Sequence, residues 1–138
     1  MPETLDESGA IPTILVVDDD SDLLAAVSDR LTAEGFQVVT ACSGIEALSC
    51  MQVCAPALVL LDFHMPGMNG AETLQSIRRA HPTLPVIMMT GANRAELQQR
   101  HQVLCNADEF LQKPIHWRLL QRTMQCLLGH SPGDIHPE

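Results

Sequence analysis

Positive charge is what this sequence has least of. Its 138 residues carry eight Lys and Arg against seventeen Asp and Glu, for a formal charge of -9, and Lys113 is the only lysine. Phosphate backbones are gripped by clustered Lys and Arg, so direct binding of nucleic acid is not expected. No apolar run approaches the ~20 residues of a membrane-spanning helix. The five cysteines lack Cys-x-x-Cys spacing and follow no secretory leader, which argues against a disulfide framework and for a reducing, cytoplasmic setting. Cys50 and Cys54 stand four apart, but two thiols without further ligands at metal spacing read as small core or surface residues. The length suits one domain and is short for two.

What is present is organised around one stretch, Leu-Val-Leu-Leu-Asp-Phe-His-Met-Pro-Gly-Met-Asn-Gly, residues 58–70. An unbroken apolar run ending in turn residues is the pattern of a strand buried on both faces of a parallel sheet. Asp62 sits at its carboxyl end, where open α/β sheets bind their ligands.

Similar strands are expected at 13–17, 36–40, 85–89 and 108–112. Between them fall helices: one after Ser21 or Asp20, either of which can cap it, through Leu23, Leu24, Val27 and Leu31 to Gly35; one from Ser43-Gly44 to about Val53, with Ile45, Leu48 and Met51 or Gln52 marking its faces; one over 71–80, buried through Leu74 and Ile77; a Gln-rich one over 93–104, with Asn106 as its left-handed cap; and one over 115–128. Five strands alternating with five helices on short connections imply a doubly wound parallel sheet in three layers. Residues 1–10 and 130–138 read as disordered tails flanking a domain over 11–129.

Just past four strands stand Asp18/Asp19, Asp62, Thr90 and Lys113, and in a parallel sheet those ends share one edge. Three carboxylates meeting without a cation repel one another, so the cluster makes sense mainly as a Mg²⁺ site, since that ion takes one or two carboxylates and bridges to phosphate oxygens. With a lysine and a hydroxyl beside it, the group suits an aspartyl phosphate formed by a nucleophilic carboxylate.

With Val-Val-Asp-Asp-Asp, Leu-Asp-Phe-His-Met-Pro-Gly-Met-Asn-Gly, Val-Ile-Met-Met-Thr-Gly and Ala-Asp-Glu-Phe-Leu-Gln-Lys-Pro in this order, the chain resembles the response-regulator receiver domains of two-component signalling. The resemblance implies a flavodoxin-like fold with strand order 2-1-3-4-5. It also implies Asp62 as phosphoacceptor, Asp19 as direct Mg²⁺ ligand, Asp18 acting largely through water, and His64 contributing its backbone carbonyl. Thr90 and Lys113 would contact the phosphoryl group, and Phe110, where Tyr is common, would be the aromatic switch. A histidine kinase or phosphotransfer protein would supply the phosphate and a downstream protein would read it, with no enzymatic activity beyond the domain's own phosphorylation and dephosphorylation.

Two other readings are weaker. A haloacid-dehalogenase-like phosphatase needs a second Asp two residues after its nucleophile, where this chain has His64. A pseudo-receiver, binding partners without phosphorylation, is disfavoured because every site residue is present. No output domain follows in the chain, so a single-domain receiver is expected. Apolar residues cover roughly 220° of the last helix, about twice the stripe one buried face needs. The resemblance puts Leu120, Met124, Leu127 and Leu128 against the sheet. That leaves Leu119 and Cys126 outward near Phe110, on a surface of fourth helix, fifth strand and last helix suited to a partner or a second copy of the chain.

Overall fold

A computed structural model of the chain describes residues 11–65, 67, 69–91 and 107–129. The expected helix over 93–104, its Asn106 cap and both tails lie outside the described residues. Five strands, β1 (Thr13–Val17), β2 (Gln37–Ala41), β3 (Leu58–Asp62), β4 (Val86–Thr90) and β5 (Glu109–Gln112), alternate with four described helices, α1 (Ser21–Ala33), α2 (Gly44–Val53), α3 (Gly70–Ala80) and α4 (Trp117–Leu127). All neighbouring strands pair in parallel, in the order β2-β1-β3-β4-β5. This is the expected flavodoxin-like order.

The three layers follow from the pleat, which sends successive side chains to opposite faces. On one face Leu15, Val17, Val59, Leu61, Val86 and Met88 pack with Ala47 and Met51 of α2 and Leu74 and Ile77 of α3. On the other, Ile14, Val16, Leu58, Leu60, Ile87 and Met89 meet Val27 and Leu31 of α1 and Leu120 and Met124 of α4. The central strands β3 and β4 are buried along their whole length. Covered on both faces, they have no polar alternation to show, which is why they read as solid apolar runs.

The helix ends are set by side-chain caps. Asp20, not Ser21, caps α1, its Oδ1 accepting the amides of Asp22 at 3.0 Å and Leu23 at 3.3 Å. Gly35, at φ 100°, turns the chain out of α1. Asn69 and Glu72 form a reciprocal capping box at the start of α3, which satisfies two donors the first turn would otherwise leave open. Away from the carboxyl edge, Arg78 of α3 pairs with Asp108 at 2.6 Å. The same Asp108 oxygen accepts the Val86 amide at 2.8 Å, so one carboxylate ties α3 to the entries of β4 and β5.

Of the residues expected to mark the faces of α2, Ile45 is on the outer one, 65% exposed, and the inward stripe is Gly44, Ala47 and Met51 with Leu48 half-buried beside it. In a ten-residue helix apolar on several sides, bulk alone does not identify the side that faces the sheet. Boundaries also shift by a residue or two. β2 begins after Phe36, Thr90 is the last residue of β4 and not the first beyond it, and α4 begins at Trp117.

In α4, Leu120 and Met124 are buried, and Ile115, Trp117, Leu127 and Leu128 pack half-buried around them. Arg30 of α1 places its guanidinium 5.1 Å from the Trp117 ring centre, a cation–π contact between neighbouring helices. Leu119 and Cys126 face solvent. Urea unfolding should therefore separate two adjacent residues: Leu120→Ala loses about 2–5 kcal/mol of stability, while Leu119→Arg stays within about 0.5 kcal/mol of the parent. Equal losses would mean that α4 is rotated from this description.

Candidate functional site

The carboxyl ends of β1, β3, β4 and β5 lie side by side, and the chain's most polar core residues are there. Asp18 directly follows β1, its amide donating to the Ala41 carbonyl at 3.1 Å, and it is 0% exposed. Asp62 ends β3 and is 3% exposed. Asp19 is exposed. One carboxylate oxygen from each of these three lies within 4.8 Å of the others, the one such grouping of acidic, His or Cys side chains among the described residues.

A single ammonium balances the buried pair. Lys113 Nζ donates to Asp18 Oδ2 at 2.8 Å and lies 3.2 Å from Asp62 Oδ1. The lysine is delivered by β5, where its amide donates to the Thr90 carbonyl at 2.7 Å, and the Lys113–Pro114 peptide is cis. Asp18 is committed at both oxygens, since Oδ1 accepts the Asp20 amide at 2.9 Å. Asp62 Oδ1 also faces the His64 amide at 3.4 Å, a long and weak contact.

Electrostatics follow from burial. Burial pushes the Asp62 carboxyl above the usual carboxylate range and the Asp18 charge adds to this, with Lys113 and the His64 amide pulling the other way. Burial works against the charge on Lys113, but its hydrogen bond to Asp18 and the attraction of Asp62 and Asp18 outweigh that and hold its proton more firmly. The donor set is three hard carboxylate oxygens at one edge, and hard oxygens suit Mg²⁺.

The remaining expected site residues are arranged around this centre. Thr90 is fully buried at the end of β4, in register with Gln112, the neighbour of Lys113. His64 is exposed, with its ring set edge-on to Phe63 at 4.9 Å. Phe110 is half-buried and packs on the α2/α3 side of the sheet, whereas α4 covers the opposite side. Phe110 and α4 thus lie on opposite sides of the sheet. Sequence reasoning brought these residues to one edge but missed the contact between Lys113 and Asp18, which are 95 residues apart. Only the count signalled it: buried acids with one lysine in the whole chain.

A carboxyl that holds its proton more tightly folded than unfolded lends stability below its unfolded value, about pH 4, and loses that contribution as pH rises through the folded value. Ionised Asp62 thus weakens the fold at neutral pH. Asp62→Asn should raise the melting temperature by several degrees at pH 7 without Mg²⁺, with the gain shrinking below about pH 4, as scanning calorimetry across pH would show.

Residues 14–125 match the response regulator receiver domain family. Over 118 residues the chain is 39% identical to the transcriptional regulatory protein CpxR of Escherichia coli K12, covering 86% of this chain and 50% of that protein. It is 31% identical over 124 residues to AfsQ1 of Streptomyces coelicolor, covering 90% and 54%. The chain thus spans about half the length of these curated relatives. Among solved structures, the chemotaxis protein CheY4 of Vibrio cholerae superposes with a TM-score of 0.78 at 30% identity, covering 86% of this chain and 99% of that one. A CheY-like receiver domain protein from Methanospirillum hungatei gives 0.80 at 28% identity, covering 91% and 99%. With strand order, edge cluster and sequence in agreement, the chain belongs to the response regulator receiver family of two-component systems.

Proposed function

We propose that this receiver accepts a phosphoryl group on Asp62 from the phosphohistidine of a histidine kinase or phosphotransfer protein, and that phosphorylation changes which protein it binds. The observation that carries this reading is the Lys113 ammonium bridging two buried carboxylates, Asp18 and Asp62, beside the exposed carboxylate Asp19. A carboxylate oxygen of Asp62 attacks phosphorus, the phosphorus–nitrogen bond of the donor breaks, and the departing imidazole keeps the electron pair and takes a proton.

Asp19, Asp62 and the main-chain carbonyl of His64 would hold Mg²⁺, which supplies charge neutralisation for the transferring oxygens. With both Asp18 oxygens already engaged, water-mediated contact is the part left to it. Lys113 offers a point charge and Thr90 a hydroxyl to the phosphoryl oxygens. Once Thr90 and Lys113 turn to the phosphoryl group, the edge strand β5 changes its contacts, and Phe110 moves with it. Leu119 and Cys126, exposed on α4, form the surface for a partner or a second copy of the chain. The domain catalyses its own phosphorylation and dephosphorylation and works in the cytoplasm.

Two measurements test this. Treated with a small phosphodonor and Mg²⁺, the wild type should gain one acid-labile, hydroxylamine-sensitive phosphate by intact mass, and Asp62→Asn should gain none; equal labelling rejects Asp62. In an NMR-monitored magnesium titration, Asp19→Ala should weaken binding by more than about tenfold. Asp20→Ala, which removes only a helix cap, should change it little, and equal weakening rejects Asp19 as the ligand.

A further inference from the structure

We propose that Gly70 is a positioning residue for the metal-binding loop, because only a residue without a side chain lets α3 begin against the main chain of Asp62. A Cβ at Gly70 would stand 2.5 Å from the Asp62 carbonyl oxygen, 2.6 Å from Phe63 Cα and 3.1 Å from the Asp62 carbonyl carbon. All three are backbone atoms of the phosphoacceptor strand and its first loop residue, so no side-chain rotation relieves the clash. The inference rests on the Mg²⁺ reading above and extends it to a residue that offers no ligand atom.

Which partner yields is decided by what anchors each. The end of β3 is held from the side, with Asp62 in register with Met89 and the Phe63 amide donating to the Met89 carbonyl at 2.8 Å. The first turn of α3 is tied mainly to itself: Asn69 and Glu72 cap each other, and Thr73 Oγ1 donates to the Asn69 carbonyl at 2.9 Å. That turn is joined to the strand end by the Gly70 amide, which donates to the Phe63 carbonyl at 3.0 Å, while Leu74 and Ile77 anchor the rest of the helix in the core. An added methyl therefore lifts the capped turn as a unit and breaks that bond, so the Phe63 carbonyl, and with it the Phe63–His64 peptide, loses its restraint. The amide of His64 faces Asp62 Oδ1 at 3.4 Å, and its carbonyl, a ligand in the Mg²⁺ reading above, is then no longer held in place.

Helix propensity predicts the opposite outcome, since Ala is the better helix former at a first-turn position. Coupling is also reciprocal: if the closed junction favours metal, metal must favour the closed junction. The test is an NMR titration with MgCl₂ of wild type, Gly70→Ala and Ile77→Val, the last a core truncation on the same helix that lowers thermal stability without reaching the loop. Gly70→Ala should bind Mg²⁺ about tenfold or more weakly, with Ile77→Val equal to wild type. In wild type, saturating Mg²⁺ should slow hydrogen exchange at the Gly70 amide, a readout that stands even where Gly70→Ala fails to fold. Unchanged affinity in folded Gly70→Ala, or a Gly70 amide whose exchange ignores Mg²⁺, overturns the inference while leaving Asp19 and Asp62 as ligands. A wild type with no saturable Mg²⁺ response overturns the metal reading and this inference together.

Discussion

Two carboxylates, Asp18 and Asp62, are buried at adjacent strand ends with the chain's single ammonium side chain between them. Taking ions out of water costs several kcal/mol each unless they are paired and hydrogen-bonded. Here the pairing is incomplete by design of the topology, since one lysine faces two acids. Burial first, and the Asp18 charge second, keep the Asp62 carboxyl above its ordinary range, and the edge is left short of positive charge. A cation beside the exposed Asp19 would complete the balance, and a transferring phosphoryl group would compete with the acids for Lys113. Stability and function pull in opposite directions at this edge.

The sheet makes the arrangement tolerable. β1 and β3 are neighbours, so Asp18 and Asp62 are set by backbone register and not by side-chain flexibility. β5 reaches the same edge through β4, and the Lys113 amide on the Thr90 carbonyl joins the lysine to the hydroxyl residue next to it. β5, like β2 at the other edge, has a single neighbouring strand. The apolar layers on both faces, far from the edge, supply the stability that the charged cluster withdraws.

The parts of this account legible from sequence were those written in local pattern. Solid apolar runs ending in Asp or Thr located β1, β3 and β4, and parallel alternation put their ends and Lys113 on one edge. The orientation of α4 also came out as expected, with Leu120 and Met124 inside and Leu119 outside. What was not legible depends on contacts that periodicity does not encode. Ile45, Leu48 and Met51 or Gln52 mark the faces of α2 without saying which is inward, and the buried stripe is Gly44, Ala47 and Met51. Asp18 is buried and Asp19 exposed although both follow the same strand, and Asp18 is the one that pairs with Lys113. Phe110 and α4 sit on opposite sides of β5, a consequence of the strand's pleat that residue spacing in the last helix does not convey.

One ammonium serves both buried carboxylates, so its removal and theirs are not independent. A double-mutant cycle of Lys113→Met and Asp62→Asn, read by urea unfolding at pH 7 without Mg²⁺, measures this directly. Lys113→Met should cost more when Asp62 is a carboxylate than when it is an amide, with a coupling of about 1 kcal/mol or more. Effects that add to within about 0.5 kcal/mol would contradict it.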